Sequence, residues 1–246
     1  MVTTPYEIQP VHTTYADEDS RMESKESLRI VSVHRIEIPD DITADLAAGT
    51  LDLLAAAYAN QFEVRRALLP EGTFRRFFDS TDDDRVSEQV DRMKGYVDSG
   101  SSYSLIFDRA TESMVVALAK VSPSRASKLQ KLGITSPNAY LNDIAVDPGS
   151  QERKLASLAL FDQLGEERFD QSRTLAADGF EGADIANDWF WRMGMREVDV
   201  ELEPTVFDGS GIGLPQRRFS SEGVTNIGSI AARLAERLNV SLETDS

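Results

Sequence analysis

The sequence predicts an α/β fold built on a mixed sheet. Three observations carry that prediction. Strand-like and helix-like segments alternate along most of the chain, the pattern of layered α/β domains. Tyr140 to Val146 reads as a strand, a short turn follows, and a helix-like run starts near Gln151. A further strand-like piece, Thr174 to Ala177, comes after that helix, so a right-handed crossover sets these two strands parallel. The 246 residues are 41% hydrophobic, enough to fill a core.

Taken in order, residues 1–27 are polar and acidic, with Asp17, Glu18, Asp19, Glu23 and Glu26, and read as a flexible arm. Alternation and β-branching from Leu28 to His34 predict the first strand. An Ala- and Leu-rich helix is expected from Thr43, a capping residue, to about Phe62. Asp82-Asp83-Asp84 opens a second helix to about Val97, its acids suiting the helix dipole; a metal site is the less favoured reading of that run. Tyr103 to Phe107 and Met114 to Val121 form an antiparallel hairpin. A short helical pattern, Ala126 to Leu132, lies in the polar connection to the strand at Tyr140. The helix from Gln151 runs to about Phe169. Ala183 to Met193 is a helix stopped by Gly194. Val198 to Leu202 and Pro215 to Phe219 are the last strands. Gly209 to Gly213 reads as a loop between them, since no helix follows to make it a nucleotide loop. From Asn226 to Leu238, Ile227, Ile230, Ala231, Leu234 and Leu238 fall on one helical face.

Composition excludes several classes. With no cysteine, disulfides, zinc–thiolate centres and thiol nucleophiles are ruled out. Two histidines do not furnish a histidine-rich metal site, and no metal is expected. No apolar run reaches the roughly 18 residues of a membrane span, and the first residues lack signal-peptide character, so a cytoplasmic protein with no membrane partner is expected. The formal charge of −16 disfavours a general nucleic-acid binder. It suits a cationic acceptor such as an amine, and serves solubility equally well.

The turn after Tyr140–Val146 reads Val146-Asp147-Pro148-Gly149-Ser150-Gln151-Glu152-Arg153-Lys154-Leu155-Ala156. A strand, a turn and a helix N-terminus together grip phosphate, because the first helical N–H groups lack intrahelical partners. The run resembles the acyl-coenzyme A (acyl-CoA) pyrophosphate loop of the GNAT acetyltransferase superfamily: V-x-P, Gln or Arg, two residues, Gly, one residue, Gly or Ala. Val146, Pro148, Gln151 and Ala156 match, while Glu152 and Lys154 stand where glycines are usual. A second run, Ala186-Asn187-Asp188-Trp189-Phe190-Trp191-Arg192-Met193-Gly194-Met195, resembles the family segment A-x-x-F-Y-x-K-x-G-F.

The resemblance implies a GNAT-like mixed sheet of about seven strands flanked by helices. The GNAT-like domain spans residues 28–220; the arm (1–27) and a C-terminal amphipathic helix and tail (221–246) lie outside it. It implies that the fourth and fifth strands splay to admit acetyl-CoA as co-substrate. Carried over by position, Ile144, Ala145 and Val146 would bond to the cofactor. Gln151, Glu152, Arg153, Lys154, Leu155 and Ala156 would hold its pyrophosphate, and Asn187 would replace an asparagine usual one turn earlier. Many family members have a tyrosine proton donor where Phe190 stands, and Phe190 donates no proton.

Asp143 is the candidate base or amine ligand, and Tyr140 lies near a catalytic position of some relatives. Strand alternation puts Tyr140, Asn142 and Ile144 on one face and Leu141, Asp143 and Ala145 on the other. The expected function is transfer of an acetyl group to an amine of a small molecule or protein. A GNAT-fold module that has lost catalysis and serves binding or regulation is the alternative. A homodimer stays open, since the last helix packs on its own domain or on a partner.

Overall fold

The computed structural model describes residues 31–63, 69, 72–121, 139–202, 204–206 and 213–240. The acidic arm, the pattern at Ala126 to Leu132 and most of the glycine loop lie outside them. The strands are β1 (Val31–Ile36), β2 (Ser102–Asp108), β3 (Ser113–Val121), β4 (Ala139–Val146), β5 (Leu175–Phe180), β6 (Arg196–Val198), β7 (Thr205–Val206), β8 (Gly213–Leu214) and β9 (Gln216–Ser220). The helices are α1 (Ala44–Tyr58), α2 (Thr73–Phe77), α3 (Asp83–Asp98), α4 (Leu155–Leu164), α5 (Asp184–Arg192) and α6 (Ile227–Leu238).

Seven strands form one mixed sheet in the order β1-β2-β3-β4-β5-β9-β6, while β7 and β8 make a small separate hairpin. Every neighbouring pair in the large sheet is antiparallel except β4 and β5. That parallel pairing covers three residues of β4, Ala139 to Leu141. Beyond Leu141 the two strands part.

Helices cover both faces. α1, α2 and α3 pack over Tyr103, Leu105, Ala117, Ala119 and Ala145. α4, α5 and α6 pack over Ile106, Val116, Leu118, Leu141 and Ala177. Caps set the helix starts. The Thr43 hydroxyl accepts from the Leu46 N–H at 3.3 Å, and Asp82 accepts from Asp84 and Arg85 at 3.0 and 3.3 Å. Asn226 accepts from Ser229 at 2.8 Å and starts α6, whose Ile227, Ile230, Ala231, Leu234 and Leu238 are all buried. α6 therefore packs its apolar face on its own domain, and each large aliphatic side chain there contributes about 1.5–3 kcal/mol.

Three expectations need correction. The strand expected at Val198 to Leu202 lies earlier, as β6 at Arg196–Val198, and residues 199–202 form no strand. The helix after β4 begins at Leu155, not Gln151: Pro148–Arg153 winds as a 3₁₀ turn, and a second 3₁₀ turn, Gly165–Phe169, replaces the helix end. Lys154, between the first turn and α4, has φ 59° and ψ 20°, a left-handed conformation that interrupts the helical run. The predicted face assignment of β4 also fails. Ala117 pairs with Ala145 and Ala119 with Asn142, so β4 carries one extra residue, and Asp143 has φ 48°. This bulge reverses the alternation: Leu141 faces the α4 side and Ala145 the α1 side. The five-residue α2 is too short to leave a periodic signal in the sequence.

Candidate functional site

The bulge and the parting of β4 from β5 open a cleft through the middle of the sheet. From Asn142 to Val146, β4 has no partner on its β5 side, so its N–H and C=O groups there seek bonds elsewhere. Two cavities occupy the cleft and meet at Gln61, Ile144 and Ala186, which line both.

The smaller cavity, about 360 Å³, lies between α1 and the strands. Tyr58, Phe62, Phe77, Phe78, Phe180 and Phe190 wall it. Its polar lining includes two compensated carboxylates. Asp143, 8% exposed, pairs with Arg92 at 2.9 Å and accepts a bond from the Tyr103 hydroxyl at 3.1 Å. Burial pushes the Tyr103 phenol up, and the charge of Asp143 pushes it further. Asp178 receives a forked bond from Arg218, Nε at 2.8 Å and Nη2 at 2.9 Å. These two residues face each other across the β5–β9 register, and Arg218 is 1% exposed. Tyr140 also bonds to Asp178; burial first, then the Asp178 charge, raises its phenol well above the ordinary value. Asn142 donates to the Tyr96 hydroxyl at 2.7 Å.

The larger cavity, about 790 Å³, is a groove between β4, the start of α4 and α5. Ile144, Val146, Gln151, Lys154 and Ala156 line it, together with Asp184, Asp188, Trp189 and Arg192 of α5. The Trp189 indole donates to the Ser157 hydroxyl at 3.1 Å and ties α5 to α4. The first N–H groups of α4 at Leu155 and Ala156 precede any intrahelical acceptor.

The sequence-derived residues are thus distributed over both cavities. Asp143, Tyr140 and Ile144 line the aromatic cavity; Ile144, Val146, Gln151, Lys154 and Ala156 line the groove. Ala145 and Leu155 are buried in the core, so only their backbone groups are available there. Glu152 and Arg153 lie in the 3₁₀ turn. Asn187 lines neither cavity: its amide donates to the Phe180 carbonyl at 3.0 Å, and its Oδ1 is buried without a partner among the described residues. The Lys154 ammonium donates to the Arg237 carbonyl at 2.9 Å, at the end of α6. Phe190 is buried at 1% exposure.

Sequence reasoning missed Arg92, Tyr103, Arg218 and Arg237. Arg92 sits in an acidic helix whose charges read as a solvated face. Arg218 gave no signal either, since strand alternation groups it with the polar Gln216 and Ser220.

No protein-family model matches the chain, and no curated protein matches it. Solved structures do. An uncharacterized protein from Bacillus halodurans is similar at 8% identity and a TM-score of 0.51, covering 85% of this chain and 90% of that one. RimL, a ribosomal L7/L12 alpha-N-protein acetyltransferase in complex with coenzyme A, aligns at 9% identity and a TM-score of 0.49, over 80% of this chain and 95% of its own. A GNAT-family acetyltransferase from Staphylococcus aureus Mu50 aligns at 13% identity and a TM-score of 0.48, over 77% and 98%. Identities this low bear on the fold alone. The strand order, the single parallel pair and the cleft beyond that pair agree with the GNAT-like mixed sheet expected from the sequence.

Proposed function

We propose that the protein is an N-acetyltransferase that moves an acetyl group from acetyl-CoA to an amine. The observation that carries this reading is the pair of cavities joined at Gln61, Ile144 and Ala186, where β4 leaves β5. A two-substrate transfer needs two binding spaces with one junction. One buried atom without a partner among the described residues, Arg237 Nε in the groove, and the unpaired side of β4 fit a polar ligand in this region.

In this reading the thioester supplies the activated acyl group, and the chain supplies position. The unpaired backbone of Ile144, Ala145 and Val146 aligns the cofactor. The turn from Gln151 through Glu152, Arg153, Lys154 and Leu155 to Ala156 meets its pyrophosphate. Asp143 holds the amine: its carboxylate has about four acceptor sites, and Arg92 and Tyr103 leave room for an amine N–H. Tyr140 orients Asp178 rather than giving up its own proton.

The acceptor in this reading is one amine on an apolar body. The wall is aromatic, and both lining carboxylates are already matched by guanidinium groups, which leaves no spare charge for a polyamine. The test is acetyl-CoA turnover with an arylalkylamine, a polyamine and a peptide α-amine, beside a melting curve with acetyl-CoA. Saturable thermal stabilisation and acetylation of the arylalkylamine are expected. Absence of any acetyl-CoA binding overturns the reading. Phe190, which offers no proton to a leaving thiolate, favours the second reading, a binding module; stabilisation without turnover of any amine selects it.

A further inference from the structure

One wall of the groove comes from outside the sheet and its crossovers. Arg237, in the last turn of α6, lines the groove beside Gln151, Lys154 and Ala156. Its Nε is buried and meets no acceptor among the described residues. A buried guanidinium N–H without an acceptor is costly, and such a group is normally satisfied by protein, water or ligand. The other groove cations are differently placed. Arg192 is paired with Asp188, and the Lys154 ammonium donates to the Arg237 carbonyl at 2.9 Å. That last bond ties the end of α6 to the residue that opens α4, so the Arg237 side chain starts from a fixed point next to the N-terminus of α4. The two carboxylates lining the groove, Asp184 and Asp188, both belong to α5.

We infer that Arg237 is a phosphate-binding residue of the acyl-CoA site, so that the C-terminal helix forms part of that site. This rests on the acyl-CoA reading above. The chain has a lysine where a phosphate loop ordinarily has glycine, and that lysine is used to anchor a second cation. A guanidinium offers a planar fork suited to two phosphate oxygens, which an ammonium does not. The ligand chemistry is a phosphate ester; the pyrophosphate and the 3′-phosphate of CoA are its two sources.

The experiment is calorimetric titration of the full chain with CoA and with 3′-dephospho-CoA, for wild type, Arg237→Gln and Arg237→Lys, with melting of each free protein. Arg237→Gln is expected to weaken CoA at least tenfold and to flatten the salt dependence of binding. Arg237→Lys should recover part of the affinity. If the contact is to the pyrophosphate, both ligands weaken by the same factor. If it is to the 3′-phosphate, dephospho-CoA binds wild type and Arg237→Gln alike, and wild type prefers CoA. Equal CoA affinity of wild type and Arg237→Gln overturns the inference and leaves the acyl-CoA reading intact. A wild type that binds neither ligand overturns both. Should Arg237→Gln melt several degrees lower when free, Arg237→Lys decides: it keeps stem and charge but loses the fork, and full wild-type affinity then counts against the inference.

Discussion

At Lys154 a long side chain occupies backbone geometry that glycine adopts without penalty. For other residues the left-handed region costs about 1–2 kcal/mol. The Nζ bond to Arg237 offsets part of that cost. Replacing Lys154 by alanine loses the bond and keeps the strain; replacing it by glycine loses the bond and removes the strain. Urea melts should therefore find Lys154→Gly more stable than Lys154→Ala by about 1 kcal/mol, the reverse of ordinary helix preference. A left-handed position that favours glycine is thus filled by lysine, and only the backbone geometry reveals it. Asp143 allows a similar separation. Asparagine tolerates the left-handed region, so Asp143→Asn keeps the bulge and removes the charge. If Asp143 holds or deprotonates the amine, turnover should fall about 10²–10⁴-fold with acetyl-CoA affinity unchanged. Unchanged turnover in that variant limits the residue to shaping β4.

Among the elements, the pairing of β5 with β9 places a charge pair inside the sheet. Asp178 and Arg218 are cross-strand partners, Arg218 is almost wholly buried, and Tyr140 of β4 adds a third group. Removing one member of such a pair leaves the other buried without compensation. Asp178→Ala is expected to cost about 3–5 kcal/mol in equilibrium unfolding, and Tyr140→Phe only about 1 kcal/mol, since it removes a single neutral donor. A comparable loss in both variants would show that Tyr140 carries the network. Element existence was readable because apolar periodicity and caps are local: Thr43, Asp82 and Asn226 start helices as their types suggest. The bulge at Asp143 was not readable. One inserted residue leaves no trace in an apolar pattern, yet it moves every later β4 side chain to the other face. Arg92 and Arg237 were hidden for another reason: each lies far along the chain from the residues it meets, so only the tertiary fold brings it to the cleft.

At the scale of the whole molecule, two packed halves share a short seam. β1 to β4 form one antiparallel half and β5, β9 and β6 the other, and β4 and β5 join them over Ala139 to Leu141. Among the described residues no helix is long and apolar enough to cross a membrane. The seam has a consequence for solvent exchange of amide protons. In most sheets the central strand is the slowest to exchange, because both its edges are bonded. Here the amides between Asn142 and Val146 that do not bond to β3 open onto the cleft, although Ala145 beside them is buried. In deuterium oxide these central amides should exchange as fast as those of an edge strand, while Ala139 to Leu141 stay protected. Acetyl-CoA should slow them selectively. Uniform protection along β4 in the free protein would mean that the cleft closes in solution, and that its ligand must first pry the centre of the sheet apart.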